Sequence, residues 1–213
     1  MDTQIPWPRQ HRAPWPKRLY CDPMPARAPD LHPQADPTVR PIDPDCVRAD
    51  ALHDLVRDVY TTSDQMSETL ADRFPDPTTL AAEIADVCRR PGALFLVAEA
   101  RSRPVGYLVV KPRLQARLRH TADLQIGVHS ARRGQGIGRR LLDEALRRVE
   151  REGVLEIVYL MVRADNRSAL TLYAASGFER LATLQRDIRI DGRHFDGVLM
   201  RRFVGSLARQ TAP

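Results

Sequence analysis

Apolar positions recur along this chain in two rhythms, one of period two and one of helical period. Phe95-Leu96-Val97-Ala98 and Val105-Gly106-Tyr107-Leu108-Val109-Val110 are β-rich runs, and Arg101-Ser102-Arg103-Pro104 between them predicts a hairpin. Thr38-Val39-Arg40-Pro41-Ile42 predicts a first strand, followed by helices near 51–60 and 78–89. Residues 112–120 read as a basic loop and 122–128 as another strand. Ile137, Leu141, Leu142, Ala145, Leu146 and Val149 then fall on one face of a helix that Gly153 is placed to end. Residues 154–162 are apolar apart from Glu156, which predicts a central strand covered on both faces. A short helix follows, from Asn166 as N-cap to Gly177 as C-cap. Strands at 183–190 and 193–201 flank Asp191-Gly192, a strong hairpin signal. The whole predicts an α+β domain, a mixed sheet with helices packed on it and no internal repeat.

Composition sets the boundaries. Eleven of the 17 prolines lie in residues 1–45. Proline lacks an amide donor and blocks helix continuation, so residues 1–37 are expected to form an extended arm. Trp7, Trp15 and Tyr20 are its candidate anchors, on the domain or on a partner subunit. The domain is expected over 38–204, with a tail at 205–213. No apolar run approaches the ~18 residues of a membrane span, and the N-terminus has no secretory h-region. Cys21, Cys46 and Cys88 are scattered without disulfide or metal-ligand spacing, which fits the cytoplasm and no metal. The net charge is +6, almost all of the cations being arginine, but acidic residues are interspersed and aromatics are 6%. That is not the basic stripe with interleaved aromatics of a nucleic-acid protein.

The chemistry gathers at Arg132-Arg133-Gly134-Gln135-Gly136-Ile137-Gly138, between a strand and the clearest helix. Glycines let backbone approach a ligand, and free N–H groups at a helix start attract an anion. Arg132, Arg133, Arg139 and Arg140 can add charge-assisted bonds, which suits a pyrophosphate. A P-loop needs Lys-Ser/Thr after its last glycine, and Arg139-Arg140 stand there instead. A Rossmann fingerprint has G-x-G-x-x-G early in its βαβ unit; here the spacing is G-x-G-x-G, after several strands.

Arg133 to Gly138 resembles the acetyl-CoA loop of the GNAT superfamily of N-acetyltransferases, Q/R-x-x-G-x-G/A. Downstream, Asn166, Ala169, Tyr173, Gly177 and Phe178 are similar to that family's N-x-x-A-x-x-x-Y-x-x-x-G-F block. The resemblance is strong over 122–178, extends over 38–203 and leaves out the arm. It implies a mostly antiparallel sheet with helices on both faces, acetyl-CoA as cosubstrate, and direct attack by an amine in a ternary complex. Carried over residue by residue, Gly134, Gln135, Gly136, Ile137 and Gly138 hold the pyrophosphate with Arg133. Backbone groups of Ile126, Gly127 and Val128 hold the pantetheine between splayed strands. The Val128 N–H is the oxyanion donor, Gly127 is a candidate bulge, Asn166 bonds the cofactor arm, and Tyr173 is the general acid. Asp123 is the first candidate base, with His120 and Glu99 behind it.

Residues 120–128 and 190–200 are also similar to amino-acid and small-amine acetyltransferases, and the second stretch to ribosomal-protein N-terminal acetyltransferases. The expected acceptor is a small amine, with Arg113, Arg117 and Arg119 as candidate readers of a carboxylate. A protein N-terminus and a non-catalytic acyl-CoA-binding module are the rival readings, the arm can be a partner-recognition segment, and a homodimer stays open.

Overall fold

Side chains along the sheet sort into two cores by strand alternation. Leu94, Leu96 and Ala98 face one, with Leu108 and Val110; Phe95 and Val97 face the other, with Tyr107 and Val109. The structure, a computed structural model, describes residues 36–42, 48–66 and 68–210. Residues 1–35, with Trp7, Trp15 and Tyr20, lie outside the described residues.

The elements are β1 (Thr38–Pro41), α1 (Ala49–Thr61), α2 (Leu70–Arg73), α3 (Pro77–Cys88), β2 (Leu94–Ala100), β3 (Arg103–Pro112), β4 (Thr121–Val128), α4 (Ile137–Glu152), β5 (Ile157–Arg163), α5 (Arg167–Ala175), β6 (Glu179–Ile190), β7 (Arg193–Phe203) and α6 (Gly205–Gln210), with a 3-10 turn at Ser130–Arg132. The strands form one sheet in the order β1-β2-β3-β4-β5-β7-β6. β4 and β5 are its parallel pair, and the other neighbours are antiparallel. The apolar stripe of α4 packs on one face with Tyr173 and Phe178; α1 and α3 cover β2 and β3 on the other. Burying each of the α4 leucines is worth roughly 1.5–3 kcal/mol.

Three expectations change, and one helix, α2, is added to those read from the sequence. α2 has no apolar stripe and is set by its cap: Thr69 Oγ1 accepts the Asp72 amide at 3.2 Å while an Asp72 carboxylate oxygen accepts the Thr69 amide at 3.3 Å. β5 is fully covered on one face and only partly on the other. Val158, Leu160 and Val162 are buried, whereas Met161 on the other face is 39% exposed, because the α1/α3 layer does not reach it. Gly127 marks no bulge, since β3 and β4 pair in unbroken register from Gly106↔Val128 to Pro112↔Ala122. And residues 205–210, expected as tail, form α6, which lies against α4.

Candidate active site

β4 and β5 pair only at Thr121↔Ile157, Ala122↔Val158 and Asp123↔Tyr159. Beyond that point they part, while β5 stays paired to β7 as far as Arg163↔Gly197. The His129 amide donates to Val105 O on β3 at 3.0 Å. By alternation the Val128 and Ile126 backbone groups therefore face the opposite edge, into the opening. This is a sheet edge exposed inside a fold, able to take an extended, amide-bearing chain.

The start of α4 lies beside the opening. Gly134 and Gly136 have φ of 76° and 75°, and a Cβ at either would meet nothing within 4 Å. Glycine is required there by backbone conformation and not by crowding. Gly136 is the N-cap, and no side chain caps the helix, so the first-turn amides remain available to an anion. A Cβ built on Gly138 would stand 3.4 Å from Leu172 of α5 and 3.7 Å from Ile126, and Ile137 is buried in the core. The Gln135 amide nitrogen donates to Ala131 O at 3.4 Å.

The nearby arginines are engaged within the protein. Arg133 donates to Thr62 O and Oγ1 at 3.3 and 2.9 Å and to Val128 O at 3.3 Å, tying the loop to the end of α1. Asp58 of α1 reinforces that tie by accepting the Ser130 amide at 2.6 Å and hydroxyl at 2.7 Å. Arg139 pairs with Asp143 at 2.9 Å, Arg140 with Asp36 at 2.9 Å, and Arg132 is buried.

Asn166 caps α5, its Oδ1 accepting the Ala169 amide at 3.1 Å. Tyr173, on the buried side of the same helix, packs on Phe178 with ring centroids 5.8 Å apart. Burial pushes its phenol pKa above the ordinary range, so the hydroxyl keeps its proton.

The three candidate bases are not brought to this point. Asp123 is exposed and held by Arg113, Nε–Oδ2 3.1 Å and Nη2–Oδ1 2.8 Å. It precedes Val128 by about 16 Å of strand at ~3.3 Å per residue. The His120 carbonyl accepts the Glu156 amide at 2.8 Å, at the closed end of the β4–β5 pair. Glu99 sits two strands from β4 and is bound to Arg40 at 2.7 and 2.8 Å.

An open parallel seam, a glycine turn into an uncapped helix and a buried tyrosine on the next helix form one arrangement. A model of the acetyltransferase (GNAT) family matches residues 50–178. The chain belongs to that family. N-alpha-acetyltransferase RimI of Mycobacterium tuberculosis is 49% identical over 80 residues, 38% of this chain and 47% of that protein. The chain thus matches about half the length of that relative. L-amino acid N-acetyltransferase AaaT of Escherichia coli is 26% identical over 150 residues, 70% of this chain and 91% of that protein. The crystal structure of ribosomal-protein-alanine N-acetyltransferase from Brucella melitensis aligns with a TM-score of 0.70 and 26% identity, covering 78% of this chain and 99% of that one.

The GNAT fold here also assembles residues that sequence reading missed. Arg163, 2% exposed at the end of β5, donates to Asp64 O at 2.6 Å and Oδ2 at 3.0 Å. It also grips Asp165 at 2.9 and 2.5 Å and stacks 3.7 Å from the Phe195 ring centroid. One guanidinium thus joins the α1–α2 loop, the turn before α5 and the start of β7. An arginine closing an apolar strand two residues before an aspartate was the available hint.

On the α1/α3 face a pocket of about 190 Å³ is lined by Arg73, Val109, Lys111, Asp123 and Gln125. Arg73 and Lys111 converge on one oxygen of Glu83, at 2.6 and 3.2 Å. Among the described residues no helix is long and apolar enough to cross a membrane, and no group of His, Cys, Asp and Glu is arranged to hold a metal.

Proposed function

We propose that this protein transfers an acetyl group from acetyl-CoA to the primary amine of a small molecule, an amino acid or a related metabolite. The observation that carries the reading is the β4–β5 opening with the uncapped start of α4 beside it. The loop Arg133–Gly138 suits a pyrophosphate because a Cβ at Gly134 or Gly136 would meet only open space, which leaves room for an anion against the uncapped helix start. Ile126 and Val128 offer strand-edge groups to the pantetheine amides, beside the main-chain of Gly127, and the Asn166 amide nitrogen can donate to the same arm. The Val128 N–H stabilises negative charge developing on the thioester oxygen. Tyr173, kept protonated by burial, gives its proton to the departing thiolate. With Asp123 held by Arg113, the acceptor ammonium loses its proton to solvent on the α1/α3 face.

A second reading, a protein N-terminus as acceptor, is favoured by the 49% identity to an N-alpha-acetyltransferase over 80 residues. The test is thiol release from acetyl-CoA with free amino acids, polyamines, aminoglycosides and peptide N-termini as acceptors. Fastest turnover of an amino acid supports the first reading, and preference for peptides supports the second. No release with any amine overturns both in favour of an acyl-CoA-binding module. We further propose a cytoplasmic protein, and light scattering of the purified chain would read the homodimer left open by the sequence.

A further inference from the structure

Three donors beside the proposed transfer point lack partners. The Tyr60 hydroxyl, the Tyr107 hydroxyl and the Arg73 Nε–H are all buried without a hydrogen bond. The two hydroxyls lie close enough to perturb one another, and a hydrogen bond between them would use only one of their two protons. Tyr107 is 1% exposed. Unsatisfied buried polar groups of this kind cost stability and are rare unless something satisfies them.

Their placement says where that partner would lie. A Cβ built on Gly127 would stand 2.5 Å from Tyr107 Cε1 and 2.9 Å from Cζ. The phenol therefore reaches from β3 across Gly127, the residue before Val128, towards the β4–β5 opening. Tyr60 approaches from the end of α1, edge-on to Phe74 at 6.2 Å. Arg73 comes from α2, bound to Glu83 at 2.6 Å and to Gln125 Oε1 at 3.4 Å. Its Nε is left 3.6 Å from Glu68, a half-exposed carboxylate beyond hydrogen-bond reach. Lys111 adds a second cation on the Glu83 oxygen that Arg73 uses.

We propose that Arg73, Tyr60 and Tyr107 form a carboxylate-binding subsite that selects acceptors bearing a carboxylate next to the reacting amine, as in a free α-amino acid. The deduction rests on the transferase reading above. The substrate carboxylate takes the Nε–H that Glu68 approaches without bonding, and accepts from the two hydroxyls. The amine, a few ångströms away along the same molecule, then faces the opening at Gly127 and Val128. The site moves carboxylate recognition away from Arg113, whose Nε–Nη2 edge is already filled by Asp123, and from Arg117, on the exposed β3–β4 loop with Arg119. A peptide N-terminus, whose α-carboxyl is an amide, brings no such anion.

The test is steady-state kinetics with the best free amino acid and its methyl ester, for the wild type, Arg73→Gln and Tyr60→Phe. Loss of one hydrogen bond to a charged group corresponds to roughly 10–100-fold. The ester should show a KM higher by that factor in the wild type. Arg73→Gln should raise KM for the amino acid similarly, leave the ester's KM unchanged, and so erase the discrimination. Tyr60→Phe, which removes only a hydroxyl, should narrow it. CoA affinity by calorimetry should match the wild type in both variants. Equal KM for acid and ester in the wild type overturns the subsite, as does a discrimination that survives in Arg73→Gln. Turnover of carboxylate-free amines with no free amino acid used sinks the subsite and leaves the transferase standing. Absence of turnover with every amine removes both.

Discussion

Tyr173 and Gly127 are single positions whose environments fix their consequences. The Tyr173 phenol is buried against Phe178 with its pKa raised by burial, so it stays a proton donor across the neutral range. Tyr173→Phe should lower kcat by roughly 10²–10⁴-fold while CoA affinity changes little. Stopped-assay kinetics and calorimetry on the same preparation check both halves, and full activity in the variant moves the acid role to water. Gly127 works by absence. A methyl group there would press into the Tyr107 ring, a contact that real structures do not show. Gly127→Ala should therefore destabilise the fold by roughly 1–3 kcal/mol, read as a lower urea midpoint. Tyr107→Leu in the same chain should recover part of that loss. The sequence marked Gly127 as special for the wrong reason. A bulge is a local device visible in one strand, whereas the ring that needs the space arrives from β3.

At the scale of elements, what was legible is what repeats locally. The α4 stripe from Ile137 to Val149 and the Asp191-Gly192 hairpin lie as read, because each is specified by neighbours in the chain. The glycine loop was legible for the same reason, and Gly136→Asp should abolish CoA binding by calorimetry in a folded variant. The carboxylate would stand at the uncapped helix start, where an anion is otherwise attracted. The grouping of Tyr60, Arg73 and Tyr107 was not legible. It is gathered from α1, α2 and β3, and each residue alone reads as an ordinary helix or strand position. The same holds for Arg163, whose partners Asp64 and Phe195 are far from it in sequence. Its hydrogen bond with Asp165 holds that carboxyl below its ordinary pKa of 3.8. A depressed carboxylate stabilises the fold above its unfolded pKa, and the contribution is lost as pH falls through the folded value. The stability gap between wild type and Asp165→Asn should thus be present at pH 7 and close below about pH 3.8, by urea unfolding at each pH.

For the whole molecule, the two cores among the described residues draw on positions from Val39 to Val204. The first is completed by Val198, Met200 and Val204 near the end of the sheet, and the second by α1 and α3 against β2 and β3. Just before β1, Asp36 pairs with Arg140 at 2.9 Å, but the aspartate is 87% exposed. An ion pair so open to solvent contributes about 0–1 kcal/mol. The proline-rich segment also lacks the amphipathic repeat that would dock it as a helix. Removing residues 1–35 should therefore leave a folded protein whose melting temperature falls by less than about 4 °C. Its CoA affinity by calorimetry should stay within twofold, since Gly134, Gly136, Val128 and Asn166 are all retained. A truncated chain that precipitates, or that melts far lower, would mean that the segment completes a core or an interface between subunits. Light scattering on both lengths separates those two outcomes, because only an interface role changes the mass of the particle. Retained binding with lost turnover would instead put the segment at the acceptor face, and the acid-against-ester comparison repeated on the short chain would read its effect there.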